Sequence, residues 1–518
     1  MSEKQCALSM VEYGKPKEEC GVFAFSFPHP AFTQEIIPLT LTGLLENQHR
    51  GEESAGIATI NNGRILPIFK GMGLVRNLYQ EYKRIEEKTE IKTVGQIAIS
   101  HCRYSTTGEP HINNAGPFMT ETSQGQVTIS HNGNIINAKK LKEELESKGY
   151  EFKGTSDSEI ISSLIADAPG QIWSDKISYA LNQMEGSFSL AIATTGLDDP
   201  HGCLYAARDS FGNRPLSYAE FEKDGIKGYA VSSESPAFDS LDISYQSEIE
   251  PGQLIKFTQD GPQIMQFNKN THESLCGLEI AYLMRPDSRI KGVQLYAIRN
   301  HLGRTLAHLY PPPRTIDYVT NVPESARPLA EGYAYALSKI WGIHVQNVET
   351  MLKNRYGTLN GAFRGFMNPD QSERDNVADK YHPFDNLVGA NIVELDDSII
   401  SGTTTKGMMR TISRKVGINH NQGVKEVHLR IPFPPVVGPC GGLGVDINAE
   451  RPLVARDLQK ELLAYSLGVT SLAYLTPEQF RQAVNEAVGR EVGLCLGCTD
   501  GKYPVNVFSA DKAVLERR

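Results

Sequence analysis

The sequence predicts two folded units in one chain: an α+β half of sheets covered by helices, then an α/β half with a parallel sheet. Two observations carry this. Residues 20 to about 256 hold many short apolar runs, among them CGVFAF, VGQIAIS, QVTIS, FSLAIAT and YAVSS, broken by Gly, Asn and Asp in the manner of strands and turns. From about residue 277 isolated strands alternate with longer helical stretches, as in VQLYAIRNHLGRTLAHL, TIDYVTNV, LAEGYAYALSKIWG, NIVELDD and TTKGMMRTISRKVG. Such a βα alternation builds a parallel sheet. The length agrees, since 518 residues exceed a single compact core.

In the first half the segments LKEELESKGY and SEIISSLIAD have helical spacing, the second opening on a Ser-Asp-Ser cap signal. In the second half the triple proline at 311–313 marks a loop, and the stretch from about 455 joins a helix-like segment to a Cys-rich loop. No internal repeat and no low-complexity tract interrupts the pattern. With 40% hydrophobic and 22% charged residues the composition is that of a soluble globular protein. No apolar run approaches the roughly 20 residues that cross a bilayer, and charges are scattered through MSEKQCALSMVEYGKPKEE. A cytoplasmic protein with no membrane partner is therefore expected. The net charge of −9 argues against nucleic-acid binding, which needs a basic face. Eight cysteines are too few for a disulfide scaffold of this length.

Cys20 opens the strand-like CGVFAF after a polar Lys-Glu-Glu segment, so removal of residues 1–19 would make it the chain terminus. A free α-amine, with a pKa near 8, is partly unprotonated at neutral pH and can take the thiol proton. Nucleophile and base would then share one residue. Read alone, the same cysteine fits a buried strand position. Four polar islands shift the balance: QHRGEESAGI at 48–57, HCRYSTTG at 101–108, HNGN at 131–134 and SDSE at 156–159. Glutamine hydrolysis needs oxyanion donors, a cation for the substrate carboxylate and an anion for its α-amine. Asn132 with Gly133, Arg103 and Asp157 supply those types. Taken singly, Asn-Gly is also a common hairpin turn and Ser-Asp-Ser a common helix cap.

In their order, these motifs resemble the class II glutamine amidotransferases, whose N-terminal-nucleophile domain is a four-layer αββα sandwich. The resemblance implies that Cys20 is nucleophile and amine base, that Arg103 and Asp157 grip glutamine, and that Asn132 and Gly133 form the oxyanion hole. It also implies a propeptide, here residues 1–19, cut at Glu19-Cys20.

NIVELDDSIISGTTTKG at 391–407 reads as an apolar strand ending in two carboxylates, a Gly-Thr loop and a helix start. Asp396 and Asp397 can accept protons from ribose hydroxyls, while Gly402, Thr403, Thr404 and Thr405 face a phosphate at a helix N-terminus. An ordinary strand-turn-helix has the same composition. The segment resembles the phosphoribosyl pyrophosphate loop of type I phosphoribosyltransferases. With RPDS at 285–288, VPES at 322–325, KNRY at 353–356 and YPV at 503–505, the chain resembles the amidophosphoribosyltransferases, which act at the first committed step of purine synthesis. That resemblance implies magnesium on Ser325, Asp396 and Asp397, with Lys353 and Arg355 as pyrophosphate contacts, although solvated charges read the same way. It implies purine nucleotides as feedback inhibitors and a homo-oligomer, a tetramer. Two departures stand out: Ser401 occupies the place of the family's arginine before Gly-Thr-Thr, and DNVADKYHPF at 375–384 is less basic than the family's mobile loop.

Cys495 and Cys498 form a Cys-x-x-Cys pair, Cys440 sits in the PPVVGPCGG turn and Cys276 lies between the halves. By spacing alone four thiolates can hold zinc or an iron-sulfur cluster, and a bare Cys-x-x-Cys can serve redox exchange. The resemblance implies a [4Fe-4S] cluster, as in one branch of the family; Cys6, Cys102 and Cys203 remain unassigned. The expected division is propeptide 1–19, amidotransferase domain 20–256, phosphoribosyltransferase domain 277–470 and a cluster-bearing segment 471–518. The expected reaction is hydrolysis of glutamine with transfer of ammonia to phosphoribosyl pyrophosphate, giving 5-phosphoribosylamine. The rivals are a diverged amidotransferase of another phosphoribosyl pathway and a nucleotide-sensing regulator; the intact glutaminase set counts against the second.

Overall fold

A computed structural model describes residues 20–27, 35–66, 68–89, 94–104, 111–353, 381–420, 423–440, 442, 443 and 453–505. The expected propeptide, Cys6, Arg355, residues 105–108 of the second polar island and most of the 375–384 loop lie outside them.

The strand Gly21–Ser26 forms because its side chains alternate between two apolar surroundings. Phe23 and Phe25 pack with the helices Ile36–Leu45 and Val75–Thr89, while Val22 and Ala24 face a second sheet. It lies in an eight-stranded sheet, between Ile226–Ser232 and Ile97–Arg103, antiparallel to both. A six-stranded antiparallel sheet stacks on it, with Gly125–Ile135, Gly186–Gly196 and Asp199–Arg208 at its centre. The helices Ala138–Ser147, Asp157–Asp167 and Trp173–Gln183 cover the outer face of that sheet through a core that includes Trp173, Ile165 and Phe188. Helix, sheet, sheet, helix is the expected αββα sandwich. Its second sheet continues through Gln253–Thr258 and Gly261–Gln266, past the expected limit at 256, because these two strands pair edge to edge as a hairpin.

The second unit holds four parallel strands in the order Tyr318–Asn321, Asn391–Leu395, Glu426–Ile431, Ser471–Tyr474. Both faces are covered, which is why these strands read as apolar runs. The helices Leu295–Leu309, Arg327–Trp341 and Pro477–Val488 pack on one face, and Thr403–His420 with Lys460–Leu467 on the other. The last strand and the helix after it belong to this core, so the stretch from 471 is no separate appendage. A short hairpin, Met351–Lys353 with Tyr381–Pro383, sits at the sheet's edge. Among the described residues no helix is long and apolar enough to cross a membrane.

Candidate active sites

Cys20 immediately precedes the central strand of the first sheet, partly exposed, and its Sγ reaches the carbonyl of Tyr104 at 3.6 Å. Burial pushes the thiol up to about 11, against the hydrogen bond to Tyr104 and the charge of Arg103. A thiol raised in this way needs a base beside it. The charges of Arg103, Asp157 and Glu53 all act on Cys20, so the sandwich brings together residues from separate polar islands.

Asn132 and Gly133 do not form the hairpin turn that their sequence allows. They lie inside the long strand Gly125–Ile135, paired with Ser189 and Phe188. Gly133 has φ of +149°, and a Cβ there would meet the carbonyl oxygen of Ser187 at 2.1 Å, so only glycine fits. Asn132 is fully buried, and neither polar atom of its amide has a hydrogen-bond partner among the described residues. A buried amide without a partner is costly, and such groups collect where a ligand completes them. Asp157 heads its helix: the Ser156 side chain accepts from Ser158 N, as the cap signal predicts, and Asp157 Oδ2 accepts from Ile135 N at 3.1 Å. Arg103 is paired with Glu53.

Three further residues stand here that carried no role in the sequence reading. Glu53 and Arg50 lie in the QHRGEESAGI island, where only the polar character signalled them. Arg50 Nε donates to the Cys20 carbonyl at 3.2 Å. His131 Nδ1 lies 3.0 Å from Ser158 Oγ, and burial lowers its pKa, favouring the neutral ring.

The second site is built at the carboxyl end of the strand Asn391–Leu395, where parallel sheets present ligand-binding loops. Asp396 and Asp397 are buried side by side, with Asp397 N donating to Asp396 Oδ1 at 2.9 Å. Burial raises both carboxyls, and the neighbouring Asp397 charge raises Asp396 further. Ser325 donates to Asp397 Oδ2, and Ser398 Oγ donates to its Oδ1 at 2.8 Å. Ser325 and Asp396 thus both contact Asp397. Gly402 has φ of +66° and is followed by the helix Thr403–His420, which places 402–405 at a helix N-terminus. Lys353 ends the strand Met351–Lys353. Glu394 was missed: it is fully buried with both oxygens lacking partners among the described residues, and burial lifts its pKa to about 8. Its signal was a carboxylate within the apolar run NIVEL.

The four remaining cysteines converge at the junction. Cys276 pairs with Cys495 in a two-stranded parallel ladder, and Val437 and Gly438 both donate to the Cys498 carbonyl at 2.9 Å. Burial raises the Cys498 thiol, and the Cys440, Cys276 and Cys495 charges raise it further. None of the four is part of a disulfide among the described residues. Among the described residues no group of three or more His, Cys, Asp or Glu side chains is drawn in to metal-ligand geometry. Cys102 and Cys203 pack in the two apolar cores of the sandwich.

A family profile described as a glutamine amidotransferase domain matches residues 101–240. The amidophosphoribosyltransferase of Synechococcus elongatus is 35% identical over 99% of this chain and 98% of its own length. That of Rattus norvegicus is 32% identical over 95% of this chain and 98% of its own length. The B. subtilis glutamine phosphoribosylpyrophosphate amidotransferase, solved in complex with ADP and GMP, superposes with a TM-score of 0.79 at 30% identity, covering 96% of this chain and all of that one. The chain belongs to the amidophosphoribosyltransferases, enzymes that aminate phosphoribosyl pyrophosphate with nitrogen from glutamine.

Proposed function

We propose that Cys20, exposed as the N-terminus by cleavage after residue 19, attacks the side-chain amide of glutamine while its own α-amine takes the thiol proton. Arg103 binds the substrate α-carboxylate, exchanging its present partner Glu53, and Asp157 binds the α-amino group. The tetrahedral oxyanion meets the Asn132 side chain and the Gly133 N–H; the unpartnered Asn132 amide is the observation that carries this reading. Collapse to a thioester expels ammonia, and water then releases glutamate and restores the thiol. At the second site ammonia attacks C1 of the ribose and pyrophosphate leaves, giving 5-phosphoribosylamine. Asp396 and Asp397 accept the ribose hydroxyl protons, the loop 402–405 holds the 5-phosphate, and Lys353 and Arg355 meet the pyrophosphate.

Two buried, adjacent carboxylates with raised pKa and a neighbouring serine hydroxyl suit a divalent cation. Magnesium on Ser325, Asp396 and Asp397 would supply positive charge for the departing pyrophosphate. Four cysteines outside any disulfide, brought in from separate segments so that the other three act on Cys498, support a [4Fe-4S] cluster on Cys276, Cys440, Cys495 and Cys498, which would act as a structural closure of the junction. The ADP and GMP bound by the B. subtilis protein support purine-nucleotide regulation of this chain. The experiment is Asp396→Asn with Asp397→Asn: synthesis should vanish with glutamine and with ammonia, while a basal glutaminase remains. Normal consumption of phosphoribosyl pyrophosphate by that variant would refute the second site.

A further inference from the structure

The inner faces of the two stacked sheets meet at the glutaminase site, and alternation along each strand decides which side chains stand there. On the first sheet Val22, Ala24, Ile97 and Ile99 pack inward, so His101 and Arg103 continue that face. The ladder sets His101 opposite Val22, two residues along the strand from Cys20. On the second sheet Val127, Ile129 and Ile135 pack outward under the helices, so Asn132 points inward.

His101 crosses the gap. Its Nε2 lies 2.9 Å from the carbonyl oxygen of His131, the residue before Asn132. A carbonyl can only accept, so Nε2 carries the proton and Nδ1 is left as an acceptor, without a hydrogen-bond partner among the described residues. The ring is 3% exposed, and burial lowers its pKa to about 3, which keeps it neutral. Gly116 backs it closely: a Cβ there would meet Nδ1 at 2.6 Å. An apolar side chain of this size would fill the place without an unpaired nitrogen, so packing does not account for a histidine; the bond to His131 does. That carbonyl and the N–H of Asn132 belong to one planar peptide, so holding the oxygen sets the backbone from which the Asn132 side chain springs. The strand has little else to fix it there. Phe118–Thr122 flanks it only as far as Ile129, and among the described residues its ladder from His131 to Ile135 runs on one side, against Leu190 to Gly186.

We propose that His101 is a positioning residue of the glutaminase, a strut between the sheets that holds the Asn132 amide where the oxyanion forms over Cys20. It takes no proton and touches no substrate; it sets the separation between the strand that follows the nucleophile and the strand that carries the oxyanion donor. The inference deepens the proposed reaction and rests on Cys20 as nucleophile and Asn132 as oxyanion donor.

The test compares wild type with His101→Phe, His101→Met and His101→Gln, and with Asn132→Ala alone and combined with His101→Phe. Each is assayed for glutamine hydrolysis with phosphoribosyl pyrophosphate and magnesium present, for ammonia-dependent synthesis, and for alkylation of Cys20 by iodoacetamide, read from the mass of the peptide that carries it. In alkylation the sulfur displaces iodide from carbon and no oxyanion forms, so its rate reports the nucleophile apart from the oxyanion donors. His101→Phe and His101→Met should each lower the glutaminase kcat by about 10- to 100-fold. The KM for glutamine, the alkylation rate and ammonia-dependent synthesis should each stay within about twofold of wild type, because Arg103, Asp157, Cys20 and the second site are untouched. His101→Gln, which keeps an N–H donor at similar reach, should recover most of the loss. In the Asn132→Ala background the further cost of His101→Phe should shrink to less than about threefold, since residues that act through one another are not additive. Costs that simply multiply overturn the proposal, as does a His101→Phe variant with the kcat of wild type. Loss of ammonia-dependent synthesis in both donor-less variants overturns it too, marking His101 as part of the fold alone. Asn132→Ala with unchanged kcat overturns the oxyanion assignment and the strut with it, whereas glutamine hydrolysis that survives full alkylation of Cys20 overturns the nucleophile.

Discussion

Asn134 Nδ2 donates to the carbonyl of Gly442 at 2.6 Å, joining the strand that carries Asn132 and Gly133 to the turn that follows Cys440. The next carbonyl, Leu443, accepts from Ser187 Oγ and from Arg214 Nη2, each at 2.6 Å. The cysteine turn therefore braces the glutaminase sheet, and what holds Cys440 in place also holds that brace.

This sets the outcome of removing one thiol. Cys498→Ser should lose the brown colour of anaerobically purified protein, fall well below the cluster's stoichiometry of about four irons and four sulfides per chain, and become more open to proteolysis. The damage should appear at the junction first, because the four ligands close long stretches of chain. Metal and sulfide analysis decides the matter, and one zinc without sulfide in wild type would refute the cluster.

For the nucleophile, mature protein should begin at Cys20. Cys20→Ser should abolish glutamine-dependent synthesis while ammonia-dependent synthesis survives, since the second site lies in another core. Intact mass reads the first point and parallel assays the second. Fully active protein that still begins at Met1 would contradict the amine-base role.

A third outcome concerns Glu394, whose pKa rises by burial from 4.5 to about 8. The unfolded chain ionises it first, so the folded state carries a growing penalty as pH climbs from 4.5 towards 8, and none below. Stability from this group is thus greatest in acid and lost as pH rises through the folded value. Glu394→Leu should therefore stabilise the protein more at pH ~8 than at pH ~5.5, by on the order of 2–3 kcal/mol, in denaturant melts run with chelator. An equal gain at both values would show that the carboxyl finds a partner on folding.

Much of this was legible because it is local. Ser156 caps its helix as its sequence suggests, and the alternation of Phe23 and Phe25 against Val22 and Ala24 follows from strand geometry. The Asp396-Asp397 pair announced itself because strand, carboxylates and glycine loop are contiguous. HNGN shows where local reading stops: Asn-Gly favours a turn, but Ile129 and Ile135 on either side pair with Ile192 and Gly186, and the ladder overrides the turn. The Arg50-Glu279 pair was invisible for a different reason. Its partners are 229 residues apart, and nothing in either segment encodes the other.

In the proposed reaction one nitrogen passes from glutamine at Cys20 to C1 of the sugar bound at Asp396 and Asp397. Its most direct test supplies glutamine labelled with 15N at the side-chain amide, together with phosphoribosyl pyrophosphate and magnesium, with no added ammonium, and follows glutamate and phosphoribosylamine by mass spectrometry. Labelled phosphoribosylamine should appear in step with glutamate; glutamate formed without any labelled amine, while phosphoribosyl pyrophosphate stays intact, would contradict this transfer.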